Sequence, residues 1–136
     1  MHFSRRALVR TALLGVVTGP ARWLLADWAG LMDRSGTAAT ARALTACFHD
    51  PTSARAVGRA YLAAVPEEAS VQALVGRLIG ETSAVSAPLP LADREALRAA
   101  MRSRIRRDFA EGRVVTVDGW FLSQTEARLC ALTACG

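Results

Sequence analysis

At 136 residues the chain has the length of one domain, and about a hundred residues remain beyond its first thirty, enough to bury roughly two-thirds of the unfolded surface. The formal net charge is +5, but Arg5, Arg6, Arg10 and Arg22 all lie at the start, opposed only by Asp27; the remainder is mildly basic and the charge gives no ground for nucleic-acid binding. All 17 basic residues are Arg, a bias that base composition explains as readily as function, although Arg does favour planar, bidentate contacts to carboxylates and so acidic protein partners.

The chain begins with Ser4-Arg5-Arg6-Ala7-Leu8-Val9-Arg10, followed by a modest apolar run to Val17. A basic segment ahead of about 7–15 apolar residues is the layout of a cleavable secretory signal. Arg10 and Arg22 bracket far fewer than the roughly 20 apolar residues that a spanning helix needs, so no transmembrane span is expected. Cleavage is expected near Ala26 or Ala29, neither of them a well-formed site, or not at all. The division is therefore a signal segment over 1–29 and a small helical domain over 30–136. The paired arginines resemble the twin-arginine (Tat) export signal, Ser-Arg-Arg-x-Phe-Leu-Lys, with Leu8, Val9 and Arg10 in its last three positions. The resemblance implies passage of an already folded body to the periplasm by the Tat machinery, often with a cofactor or partner attached. The competing reading is a basic N-terminal helix on a cytosolic protein.

Thr37 to Phe48 carries Ala38, Ala41, Leu44 and Phe48 at helical spacing and stops at His49-Asp50-Pro51. Thr52 or Ser53 can cap the next helix, in which Val57, Tyr61, Leu62 and Val65 form one face before Pro66. Glu67 and Glu68 then fall in the first turn of a third helix, where negative charge suits the dipole. Val71, Leu74, Val75, Leu78 and Ile79 give it an apolar stripe, and Gly80 closes it. Glu81 to Pro90 reads as a surface connection.

Asp93 is a good cap for the fourth and longest helix. Leu97, Met101, Ile105 and Phe109 follow at i+4 steps as a narrow docking stripe, and Gly112 ends the helix. Arg98, Arg102, Arg104, Arg106 and Arg107 point elsewhere; the plain reading is solvated charge, and the functional ones are an acidic protein partner or an anionic membrane surface. Val114-Val115-Thr116-Val117, the turn Asp118-Gly119 and Trp120-Phe121-Leu122 read as a hairpin, because a type I′ turn needs positive φ at both central residues. Ser123-Gln124-Thr125-Glu126 is a capping box opening a last helix, Thr125 to about Ala134, that buries Leu129, Leu132 and Cys130. The expected fold is mainly α, a small bundle of about five short helices with one C-terminal β-hairpin.

Catalytic material is sparse. His49 is the one histidine beyond the leader and reads as a capping or surface residue; no Gly-x-Ser-x-Gly elbow, phosphate loop, zinc motif or Cys-x-x-Cys-His is present. Asp93, Glu95, Asp108 and Glu111 sit beside arginines and read as solvated or salt-bridged. Cys47, Cys130 and Cys135 make an odd count, open to one disulfide and one thiol or to three buried thiols. On a regular helix Cys130 and Cys135 would lie about 8–9 Å apart at Cα, beyond the limit of about 7 Å for a bridge, so joining them requires the last turn to unwind; Cys47 with Cys130 is equally open. Trp120 and Phe121 either fill the core or, in the sharper reading, leave Trp120 exposed as a partner anchor, Trp and Arg being the commonest such anchors. Trp23 and Trp28 could serve the same way near the leader.

A Tat-like leader, a small helical body and no catalytic set resemble, in layout, the small accessory subunits of periplasmic flavin-dependent sugar and alcohol dehydrogenases. That resemblance implies a non-catalytic subunit, with no cofactor or metal of its own, that carries and stabilises a larger oxidoreductase, a flavoprotein, through protein–protein contact. Arg98, Arg102, Arg106 and Trp120 are the expected docking residues, with peripheral membrane contact as an additional use and nucleic acid excluded. The alternative is a free periplasmic thiol-redox or small-ligand-binding module built on Cys130 and Cys135.

Overall fold

The computed structural model describes residues 34–83 and 88–136. The chain divides between Ser35 and Gly36, and the fold below is that of the described residues, nearly all of which belong to the second unit. Among the described residues it is mainly α: five helices and one two-stranded antiparallel hairpin inserted before the last helix.

Residues 34–45 are helical (α1). Leu44 is fully buried and Thr40 nearly so, whereas Ala38 is exposed, since six residues before Leu44 lies about 120° away around a helix. Phe48 follows the helix and packs half-buried on the core. Helix α2, Pro51–Ala64, is capped by Asp50, not by Thr52 or Ser53; its carboxylate accepts from the Thr52 and Ser53 backbone N–H groups at 2.9 and 3.2 Å, and Pro51 supplies the preset first turn. Its core face is Ala54, Gly58 and Tyr61, with Val57, Leu62 and Val65 half-buried beside it.

Glu67 and Glu68 do not begin α3. They belong to a separate 3-10 turn, Pro66–Glu68, and α3 runs Val71–Ser83, past Gly80. Ser70 intervenes as the local cap: its Oγ accepts from Ala73 N–H at 3.1 Å and its carbonyl from Leu74 N–H at 3.0 Å. Leu74, Val75 and Leu78 are buried, while Ile79 is at the edge.

Helix α4, Arg94–Ala110, starts at Asp93 as expected and is closed by Glu111 and Gly112, the latter at φ 69. The i+4 stripe fails at its far end. Leu97 and Met101 are buried, Ile105 is half-buried and Phe109 is exposed, while Asp108 takes the core direction. Each i+4 step overshoots one turn by about 40°, so Phe109 has drifted about 120° from Leu97, whereas Asp108, eleven residues on, lies within about 20°.

Strands β1, Val114–Val117, and β2, Trp120–Ser123, pair Val117 with Trp120 and Val114 with Ser123 across the turn Asp118-Gly119, whose φ angles are 48 and 81. Ser123 then caps α5, Gln124–Ala134, through the full capping box with Glu126. This last helix is central: every residue from Ala127 to Thr133 is buried, and α2, α3, α4 and the hairpin pack around it. Two strands alone are barely stable, so the hairpin depends on α4 and α5 beneath it.

Candidate functional site

The hairpin carries the most exposed aromatic surface among the described residues: Trp120 is 72 % and Phe121 75 % solvent-accessible. They do not fill the core. Because strand residues alternate, the inner hairpin face is Val115, Val117 and Leu122, with Trp120 on that side but projecting past the core at the tip. Phe121 occupies the outer face opposite Thr116, with partly exposed Val114 further along it. The turn restricts the backbone on both sides, so two large rings are held out on a constrained scaffold.

The expected basic face divides. Arg98 and Arg102, one turn apart on α4, line a cleft of about 370 Å³ whose other walls are Cys47, Phe48, His49, Met101, Ile105 and Leu129. Arg106 is exposed one turn further on and does not line it. Arg102 reaches Glu95 at 3.3 Å. Arg104 donates to the Leu78 carbonyl of α3, Arg94 to the Ala46 carbonyl after α1 at 2.6 Å, and Arg55 to the Thr133 carbonyl of α5 at 3.2 Å. Arg104 of that face, and Arg94 and Arg55 outside it, thus serve as stitches between helices, while Arg102, Arg106 and Arg107 remain exposed. His49 is exposed at the cleft mouth beside the capping Asp50.

All three cysteines are free thiols. Cys130 is buried in α5, and Cys135 is its C-cap, with its N–H on the Ala131 carbonyl at 3.1 Å; the last turn is therefore wound and holds the two apart. Burial pushes the Cys130 thiol up to about 11, with the Glu126 charge adding to it. Burial also raises Cys135. At Cys47 burial outweighs the opposing pull of Arg98 and Arg94, and the S–H points at the Ala43 carbonyl, 3.6 Å away. A redox module needs a thiolate near neutral pH, and these surroundings favour the thiol.

The salt-bridged alternative holds for Asp108, though its burial does not follow from the sequence, and a second ionic cluster, at Glu68, was not expected. Glu68, 6 % exposed, receives two hydrogen bonds from Arg128, 3.0 Å from Nε to Oε2 and 2.9 Å from Nη2 to Oε1, and a third from the Tyr61 hydroxyl at 2.8 Å. Asp108, 2 % exposed, accepts from Arg113 Nε and Nη2 at 2.9 and 2.8 Å on one oxygen and from the Thr125 N–H at 2.8 Å on the other. Both are structural: every carboxylate oxygen is engaged, and neither cluster belongs to the cleft lining. The available signals were an Asp in the core phase of α4 and an Arg amid the Ala, Leu and Cys of α5.

Among the described residues no group of three or more His, Cys, Asp or Glu could hold a metal ion, and no helix is long and apolar enough to cross a membrane. Ser4, Arg5, Arg6, Leu8, Val9 and Arg10, like Trp23 and Trp28, lie outside the described residues. No protein-family model matches the chain, and neither a curated protein nor a solved structure is detectably similar to it.

Proposed function

We propose that this chain is a non-catalytic, exported accessory subunit that carries and stabilises a larger periplasmic oxidoreductase subunit through protein–protein contact. The observation that carries the reading is the exposed pair Trp120 and Phe121 on a tight hairpin. Large apolar rings held at a constrained position lose little side-chain entropy on docking and are the residue types that dominate contact energies. The twin-arginine-like start supports the export half of the proposal, and the neutral thiols favour a packing role for the cysteines.

The test is tandem purification of the full chain from the periplasm of its source cells. A dye-reducing oxidoreductase activity is expected to co-purify with it and to be lost from the Trp120→Ser/Phe121→Ser double variant. That variant should fold within about 0.5 kcal/mol of the parent, because both side chains are exposed. In parallel, residues 1–35 fused to a Tat-dependent reporter should be exported, and Arg5→Lys/Arg6→Lys should block it. A chain that stays in the cytoplasm, or is exported but purifies alone with no oxidoreductase, overturns the reading.

A further inference from the structure

We propose that the cleft between α4 and the α1–α2 corner binds a single-chain amphiphilic anion: a monocarboxylate on an unbranched hydrocarbon tail. Its volume, about 370 Å³, falls within the roughly 300–1,000 Å³ of small-molecule sites. Phe48, Met101, Ile105 and Leu129 give it an apolar wall, and the polar hydrogens of Cys47 and Phe48 beside it are already used. The Cys47 thiol is directed to Ala43, and the Cys47 and Phe48 N–H groups are bonded to the Leu44 and Thr45 carbonyls at 3.2 and 3.3 Å. A methylene chain asks for no donor along that wall, where two of the three lining backbone N–H groups of the α1–α2 corner are already bonded. Water in such a space is poorly held and readily displaced by hydrocarbon.

The rim supplies the charge. Arg102 is shared with Glu95, while Arg98 is half-buried and makes no ion pair or hydrogen bond among the described residues. A guanidinium fork with no partner among the described residues, next to an apolar wall, matches one carboxylate bidentately. A carboxylate matches the Arg98 fork alone, whereas a phosphate monoester would call on Arg102 as well; decyl phosphate binding more tightly than decanoate would overturn the choice of head group. The cleft and the hairpin aromatics share no residue, so this site stands whether or not the chain has a protein partner.

Isothermal titration of the full chain with hexanoate, octanoate and decanoate, each below its micellar concentration, tests the proposal. Affinity should rise about fourfold per added methylene. Decanoate should bind more tightly than decylammonium or methyl decanoate. Arg98→Gln should weaken decanoate about tenfold or more while leaving methyl decanoate unchanged. Ile105→Gln should flatten the chain-length dependence, and Arg106→Gln, outside the cleft, should bind as the parent does. Both cleft variants are at partly exposed positions, and far-UV circular dichroism checks that they fold. Binding that ignores chain length, prefers the cation, survives Arg98→Gln unchanged or never saturates would overturn the proposal. So would an acidic peptide that binds at Arg98 where decanoate does not.

Discussion

Glu68 and Arg128, 60 positions apart, face each other through two parallel hydrogen bonds of 3.0 and 2.9 Å, with both side chains almost wholly withdrawn from solvent. The pair joins the turn after α2 to the middle of α5, the helix around which the others pack. Burial alone would raise the Glu68 carboxyl, but the Arg128 and Tyr61 hydrogen bonds and the charges of Arg128 and Arg77 outweigh it and hold the group below its ordinary value. Removing one partner strands the other charge. Arg128→Ala or Glu68→Ala should therefore cost about 3–5 kcal/mol, whereas replacing both with apolar residues of similar volume should cost much less. Urea denaturation of the two single variants and of Glu68→Leu/Arg128→Met checks this; equal losses in all three would contradict it.

Tyr61 completes that cluster and carries the only phenol in the chain, so its titration can be read without ambiguity. Burial, the hydrogen bond to Glu68 and the Glu68 charge push its hydroxyl up to about 12. The protonated form is the one the fold prefers. Stability from this group is thus fully present below the ordinary value of 10.0 and drains away as pH rises from there toward 12. Phenolate absorbance of the folded protein should rise with a midpoint well above 10.0, or jump cooperatively where alkali unfolds it. Tyr61→Phe should remove this part of the alkaline loss, leaving the part due to the Cys130 thiol, which is pushed up to about 11, and it leaves Glu68 one donor short.

The contact between α2 and α5 is closer than side-chain packing allows. A Cβ built on Gly58 would sit 2.1 Å from the Cys130 carbonyl oxygen and 2.8 Å from the Ala131 nitrogen, all of it backbone that cannot swing aside. On helix propensity alone Gly58→Ala should stabilise the chain by about 0.5–1 kcal/mol. The contact reverses that sign: Gly58→Ala should destabilise by about 1–3 kcal/mol or more. The same change at Gly76, whose Cβ would meet nothing within 4 Å, should stabilise. Thermal midpoints of the two variants moving in opposite directions is the expected result.

What could be read from the sequence is what short-range chemistry decides. Asp93, the Asp118-Gly119 turn and the Ser123/Glu126 box each act within four residues, and each is found where the sequence places it. Asp50 capped in place of Thr52 or Ser53 because Pro51 already occupied the first helical position. The sequence places Glu68 in a helix's first turn and gives Asp108 as solvated or salt-bridged; the Arg113 pair is within its reach, but nothing nearby reveals that Arg128 and the Thr125 N–H, 60 and 17 positions away, come to satisfy them. The turn that sets the hairpin does not say what covers it, so both fates of Trp120 and Phe121 were open until the packing was known. The cleft is assembled from the α1–α2 corner, α4 and α5, and only Arg98 and Arg102 of its lining stood out in advance as partner-binding residues.

Asp108 and Glu68 together set the acid limit of the fold. At Asp108, burial would raise the carboxyl, yet hydrogen bonds from Thr125 and Arg113 and the Arg113 charge prevail and keep it below its ordinary value. A carboxylate held down in the folded state is stabilising above the unfolded value and loses that contribution as pH falls through the folded one. These two groups should therefore add no pH dependence well above 4.5, and their contribution should be lost progressively below 4.5 for Glu68 and 3.8 for Asp108. The slope cannot exceed about 1.4 kcal/mol per pH unit for each group. Asp108→Asn separates the two. Its amide nitrogen must face either the Arg113 guanidinium or the Thr125 N–H, donor against donor, so the variant should lose about 1–3 kcal/mol at neutral pH. Below pH 3.8, where the parent's Asp108 has itself begun to take up a proton, the gap between variant and parent should narrow. Urea midpoints measured for both proteins from neutral pH down to that range decide the matter: a gap that stays constant would mean that the Asp108 charge contributes nothing, and that only the shape of the side chain counts.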